Sequence, residues 1–105
     1  MSDLGKMMQQ VQKMQERMQK LQEEIAEIEV HGEAGGGMVH VTAGGDRSIR
    51  SIIIDASLWE ERDKELTEDL VTAACNAALK AAEEKAQGMQ KELVSGLPLP
   101  PGFSF

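Results

Sequence analysis

The chain contains no tyrosine, one tryptophan and two phenylalanines, an aromatic content of 3% in 105 residues. Trp59, Phe103 and Phe105 therefore add little packing and offer no interleaved rings on which single-stranded bases would stack. That scarcity argues against reading of single strands or RNA. There is a single cysteine, Cys75, which excludes an intrachain disulfide; it lies in an alanine-rich helical stretch where a small buried thiol is expected. An intracellular protein fits this usage best. The three prolines, Pro98, Pro100 and Pro101, all follow the last helical stretch, which they cannot continue. No run approaches the roughly 18 apolar residues of a membrane span, and the opening MSDLGKMMQQ lacks the apolar core of a signal peptide. The expectation is a soluble cytoplasmic protein of one domain, residues 1–105, near the small end of what buries a self-sufficient core, so oligomerisation would help it.

Positive charge is also in short supply. The net charge is −7, which taken alone argues against a nucleic-acid partner, but the charges are unevenly distributed. Residues 1–21 carry Lys6, Lys13, Arg17 and Lys20 against Asp3 and Glu16, whereas residues 22–29 carry Glu23, Glu24, Glu27 and Glu29 and no base. The first 21 residues are the most positive part of an acidic chain.

What the sequence has in abundance is apolar periodicity. Leu4, Val11, Met18 and Ile25 fall at one heptad position and Met7, Met14, Leu21 and Ile28 at the other, a coiled-coil seam on a helix expected from an N-cap at Asp3 to about Glu29. At 1.5 Å per residue this makes an arm of about 40 Å, too long for a compact monomer of this size. Lys6, Lys13 and Lys20 share a third heptad position, and Lys13, Arg17 and Lys20 stand at i, i+4 and i+7 on one side, clear of the glutamates. Such a row is commonly just a solvated face. Its placement on a projecting arm suits it to an anionic partner, because DNA backbone contact asks for little more than correctly spaced charge. The seam has three readings: an internal core stripe, a homo-oligomer seam or a dock for another protein's helix. Met7, Met8, Met14 and Met18 suit an adaptable surface, while Leu21, Ile25 and Ile28 look like the buried root.

Beyond the arm, residues 30–55 read as an antiparallel three-stranded meander. The stretch from Val30 to Thr42 has β-formers on either side of Gly35-Gly36-Gly37, a second turn follows at Gly44-Gly45, and Ser48 to Asp55 forms a third strand whose closing Ile52-Ile53-Ile54 suggests burial on both faces. The charged run from Glu60 leads into a second long helix, roughly Lys64 to Val94, whose face of Ala74, Ala77, Ala78, Ala81 and Ala82 permits close packing. Gly88 weakens its last turns by about 1 kcal/mol relative to alanine. Ser95-Gly96 supplies a C-cap, and residues 96–105 form an extended Pro-rich tail. The order expected is α-β-β-β-α, an α+β fold with both helices longer than the sheet they flank.

Chemistry is poorly represented. The glycine triplet is followed by Met38 and Val39 rather than by Lys-Ser/Thr and a helix, so it reads as a hairpin turn and not a phosphate loop. Neither Cys75 nor any serine has a histidine at an informative spacing, and the carboxylates lie on charged helical faces; no catalytic residue, cofactor or metal site is assigned. A turn centred between Gly35 and Gly36 would set His31 opposite His40. Such neighbours can share a proton or a metal, but two ligands alone make a weak site, and solvated strand residues are the default reading.

Three stretches, MMQQVQKMQERMQKLQEEI, VHGEAGGGMVHVTAGG and SGLPLPPGF, resemble the YbaB/EbfC family of bacterial nucleoid-associated proteins over essentially the whole chain. The glycine hairpin and the tail are the specific parts. IIIDASL is similar to the family's Ile-Asp-Pro-Ser-Leu with Ala56 in place of proline, a local difference. The resemblance implies a homodimer whose sheets join and whose helices project like tweezers, DNA as partner, association with the nucleoid in the cytoplasm, and no enzymatic activity. It implicates the first helix, here with Lys6, Lys13, Arg17 and Lys20, and leaves Arg47 and Arg50 as secondary DNA-binding candidates whose plainer role is a surface ion pair. The expected function is binding of duplex DNA through backbone phosphates with modest sequence selectivity, with roles in nucleoid organisation and gene regulation. The competing reading is an adaptor or chaperone module that captures a partner helix in the Met-rich seam. A membrane-surface helix is disfavoured by the Gln-rich outer face and the lack of interfacial tryptophan.

Overall fold

The computed structural model describes residues 2–95, and the elements run α1 Ser2–Glu27, β1 Glu29–Ala34, β2 Val39–Gly44, β3 Ile49–Ile54, α2 Ala56–Glu61 and α3 Lys64–Ser95. The expected C-cap at Gly96 and the proline tail lie outside the described residues. The molecule is a rod of 74 × 24 × 16 Å, because two helices of 26 and 32 residues overhang a small sheet. α1 starts one residue before Asp3, which therefore stands in the first turn instead of capping it, where its carboxylate still complements the positive helix end. The helix stops at Glu27, two residues short of the expected Glu29, which instead opens β1.

The sheet has the order β1-β2-β3, antiparallel throughout. Its first turn spans residues 35–38, with Gly35, Gly36 and Gly37 all at positive φ, a path that side chains would strain. This turn centres one residue later than the sequence suggested. His31 pairs with Thr42 and His40 with Glu33, which corrects the expected His31–His40 pairing. Three identical glycines carry no side-chain cue to the centre of a turn, so the register was open by this much. Parity survives the slip, and both histidines remain on one face.

On the other face, Val39, Val41 and Ala43 are completely buried against Ala74 and Ala78 of α3 and against Leu58. Gly32 lets this layer close: a Cβ there would lie 2.3 Å from the Ala78 backbone nitrogen and 2.5 Å from the Ala74 carbonyl oxygen. Of the small face read in the sequence, Ala74 and Ala78 form this backbone-to-backbone seat and Ala82 is buried, whereas Ala81 is half-buried and Ala77 is exposed, one position round the helix from the contact. Val30, Ala34, Met38, Leu70, Val71 and a half-buried Cys75 surround the core.

α2 is an element the sequence pattern did not separate. Asp55 caps it, its Oδ1 accepting from the Ser57 N–H at 2.9 Å, and Leu58 plugs the core; Arg62 then turns left-handed and Asp63 caps α3 by accepting from the Leu66 N–H at 3.0 Å. Capping by two aspartates, Asp55 directly after β3 and Asp63 within the charged run, is what splits the helices. β3 also departs from expectation. Every residue of it is exposed in the single chain, because α3 lies over β1 and β2 and leaves the edge strand uncovered.

Candidate nucleic-acid interface

The arm's shape follows from where its seam is buried. Leu21 and Ile25 are 7% and 4% exposed at the root, whereas Leu4, Met7, Met8 and Val11 stand 56% exposed or more. The outer third of α1 thus projects with its apolar stripe open. Lys6, Lys13, Arg17 and Lys20 are all exposed on this rod, and among the described residues none of them is engaged in an ion pair. Successive heptad lysines rise about 10 Å along the axis, so the row covers roughly 20 Å. Toward the root the sign reverses at Glu23, Glu24 and Glu27. An anion approaching the helix therefore meets a field that is positive at the tip and negative at the base.

The two secondary arginines occupy different settings. Arg47 sits exposed and left-handed, φ 68°, in the β2–β3 turn, its N–H donating to the Gly44 carbonyl at 2.9 Å. Beside it Asp46 accepts from the Ser48 hydroxyl at 2.6 Å and from its N–H at 3.2 Å, and those bonds, the hydroxyl first, hold its pKa below the usual value. Arg50 is already engaged. Its guanidinium donates to the Ala26 carbonyl in the last turn of α1 and lies 3.7 Å from the Glu29 carboxylate. The end of α1 has no basic residue of its own, so Arg50 supplies the cation that the negative helix terminus and its glutamates need. The arrangement thus separates the six candidates into four on the rod, one on the turn at its foot and one anchoring its base.

Two further places stand out. On the open face of the sheet Glu33 Oε1 lies 3.0 Å from His40 Nδ1, His40 Nε2 lies 3.1 Å from His31 Nδ1, and the Thr42 hydroxyl lies 3.2 Å from that same nitrogen. The sequence pointed to the two histidines; Glu33 and Thr42 emerge only from the true register. A groove of about 470 Å³ at the α2–α3 elbow is lined by Leu58, Trp59, Arg62, Asp63, Lys64, Thr67 and Glu68, with Trp59 80% exposed. Its charges are of both signs and no nucleophile–base pair lies in it. Among the described residues no group of three or more His, Cys, Asp or Glu side chains is placed to hold a metal, and no helix is long and apolar enough to cross a membrane.

Comparison with known proteins agrees with this architecture. A family model described as the YbaB/EbfC DNA-binding family matches residues 1–97. Among solved structures, the crystal structure of the uncharacterized protein HP0035 from Helicobacter pylori is similar, with a TM-score of 0.73 at 27% identity, covering 84% of this chain and 92% of that one.

Proposed function

We propose, given that the chain belongs to the YbaB/EbfC DNA-binding family, that two copies join along β3 and hold duplex DNA between paired α1 arms, chiefly through phosphate contacts. The observation that carries this reading is the row of exposed arm cations, Lys6, Lys13, Arg17 and Lys20, free of ion pairs among the described residues. Charges already neutralised by neighbours would gain little from phosphate, whereas these lose only hydration and release the DNA's condensed counterions. Arg47, at the foot of the arm, is a further contact in this reading, and Arg50 serves chiefly to hold the arm's base. Sequence selectivity is modest, since lysines on phosphates position a protein without reading bases. The protein would act on the nucleoid in the cytoplasm, in DNA organisation and gene regulation.

Dimerisation is supported by the state of β3. An exposed edge strand carrying Ile49, Ile52, Ile53 and Ile54 is a template for pairing, and a second β3 related by a two-fold axis satisfies its free backbone groups and sets its isoleucines beside those of the partner. β1, the other edge, exposes Glu29, His31 and Glu33 and is a poor competitor.

The test is retardation of random duplex DNA by the purified protein across a salt series. If two protomers each use four arm cations, the slope of log affinity against log salt approaches about −7, and fewer contacts give a shallower line. A flat salt dependence overturns the mechanism. The second reading, a partner helix docked on the outer seam, is favoured by the open Leu4, Met7, Met8 and Val11. It predicts that Met7→Glu or Met18→Glu abolishes partner capture, with no DNA retardation at physiological salt.

A further inference from the structure

We propose that His31 and His40 form a two-nitrogen site for a borderline-soft divalent ion of the Zn2+ class, with Glu33 as the carboxylate that orients it. The site lies on the open sheet face and is independent of the DNA reading. The histidines are diagonal neighbours on β1 and β2, their ring centroids 5.0 Å apart and the planes tilted by 43°. Glu33 decides the tautomer. A carboxylate can only accept, so the 3.0 Å contact requires the proton on His40 Nδ1 and leaves the neutral ring's Nε2 lone pair free. That nitrogen lies 3.1 Å from His31 Nδ1. Two imidazoles bound to one ion at 2.0–2.1 Å have nitrogens about 2.9 Å apart at a right angle and about 3.3 Å apart in a tetrahedron. The observed spacing falls between these limits.

In the metal-free protein one proton must lie between the two nitrogens. An ion takes the place of that shared proton, and the proton of neutral His31 moves from Nδ1 to Nε2. Glu33, on the far side of the His40 ring, acts as the outer partner that fixes ring orientation and tautomer. The Thr42 hydroxyl, 3.2 Å from His31 Nδ1, borders the site, and water completes the coordination. Imidazole nitrogens suit Zn2+, Ni2+ and Cu2+ and discriminate against Mg2+ and Ca2+, which require oxygen.

The experiment is calorimetric titration of the full chain with Zn2+, paired with NMR of the imidazole nitrogens. The expected result is saturable binding that His31→Ala or His40→Ala abolishes and Glu33→Gln weakens about tenfold or more. In the bound state His40 is expected protonated at Nδ1 and His31 at Nε2. All three positions lie on the solvent side of the sheet, and far-UV dichroism establishes that the variants fold. No ring shift with Zn2+ at about a hundredfold excess overturns the site, as does binding undiminished in either histidine variant, the opposite tautomers, or equal affinity of Glu33→Gln.

Discussion

Gly32 is the residue on which the closeness of sheet and helix depends. Its missing Cβ is replaced in space by the backbone of Ala74 and Ala78, neither of which can move aside as a side-chain tip can. Gly32→Ala is expected to cost about 1–3 kcal/mol, read as a lower urea midpoint, and to push α3 away from the sheet. Asp55 makes a different kind of contribution. The Ser57 backbone N–H, and after it the Ser57 hydroxyl, hold its carboxyl below the usual range, as the Ser48 bonds do for Asp46. A folded-state pKa below the unfolded one adds stability above the unfolded value and loses it as pH falls through the acid region, here below about pH 4. Asp55→Asn keeps an accepting cap without the charge, so its thermal midpoint should fall less than that of the wild type between about pH 5 and pH 3.

At the scale of the element, α1 is a helix with conflicting ends. Its inner half gathers glutamates where the dipole is negative, and Arg50 from β3 resolves the conflict at the Ala26 carbonyl. Arg50→Ala is expected to destabilise the root by roughly 1 kcal/mol, seen as earlier loss of helical signal on heating. Its effect on DNA distinguishes it from the arm residues. Replacing Lys13, Arg17 and Lys20 by Ala should flatten the salt slope by about 0.9 for each phosphate no longer neutralised and leave the melting temperature near that of the wild type, whereas Arg50→Ala should lower the melting temperature and leave the slope nearly unchanged. An Arg50→Ala slope as flat as that of the arm variant would return Arg50 to the DNA-binding surface.

For the whole molecule the decisive feature is an isoleucine strand with nothing over it. Ile53 is 62% exposed and Ile52 44%, so both faces of the edge strand are open in a single chain. The sequence suggested burial on both faces for this run, and pairing with a second copy would set the isoleucines beside those of the partner. Ile53→Lys, which puts a charge on the edge without touching the Val39–Ala43 core, is expected to shift the protein to monomer in sedimentation analysis and to weaken DNA binding by removing the second arm. A dimer that persists in this variant would move the interface away from β3.

Local patterns along the chain were enough for the element order apart from α2, the arm and its basic outer half, the hairpin and the alanine seat, because each is encoded by period, charge or turn chemistry. They left the position of the glycine turn open, since three identical residues offer no asymmetry, and with it the partners of His31 and His40. It took the folded arrangement to show that Glu33 orients His40, that Arg50 closes α1 from 24 residues away, and that β3 is left bare. These are matters of which distant backbone comes to rest beside which side chain, and no local periodicity carries that information.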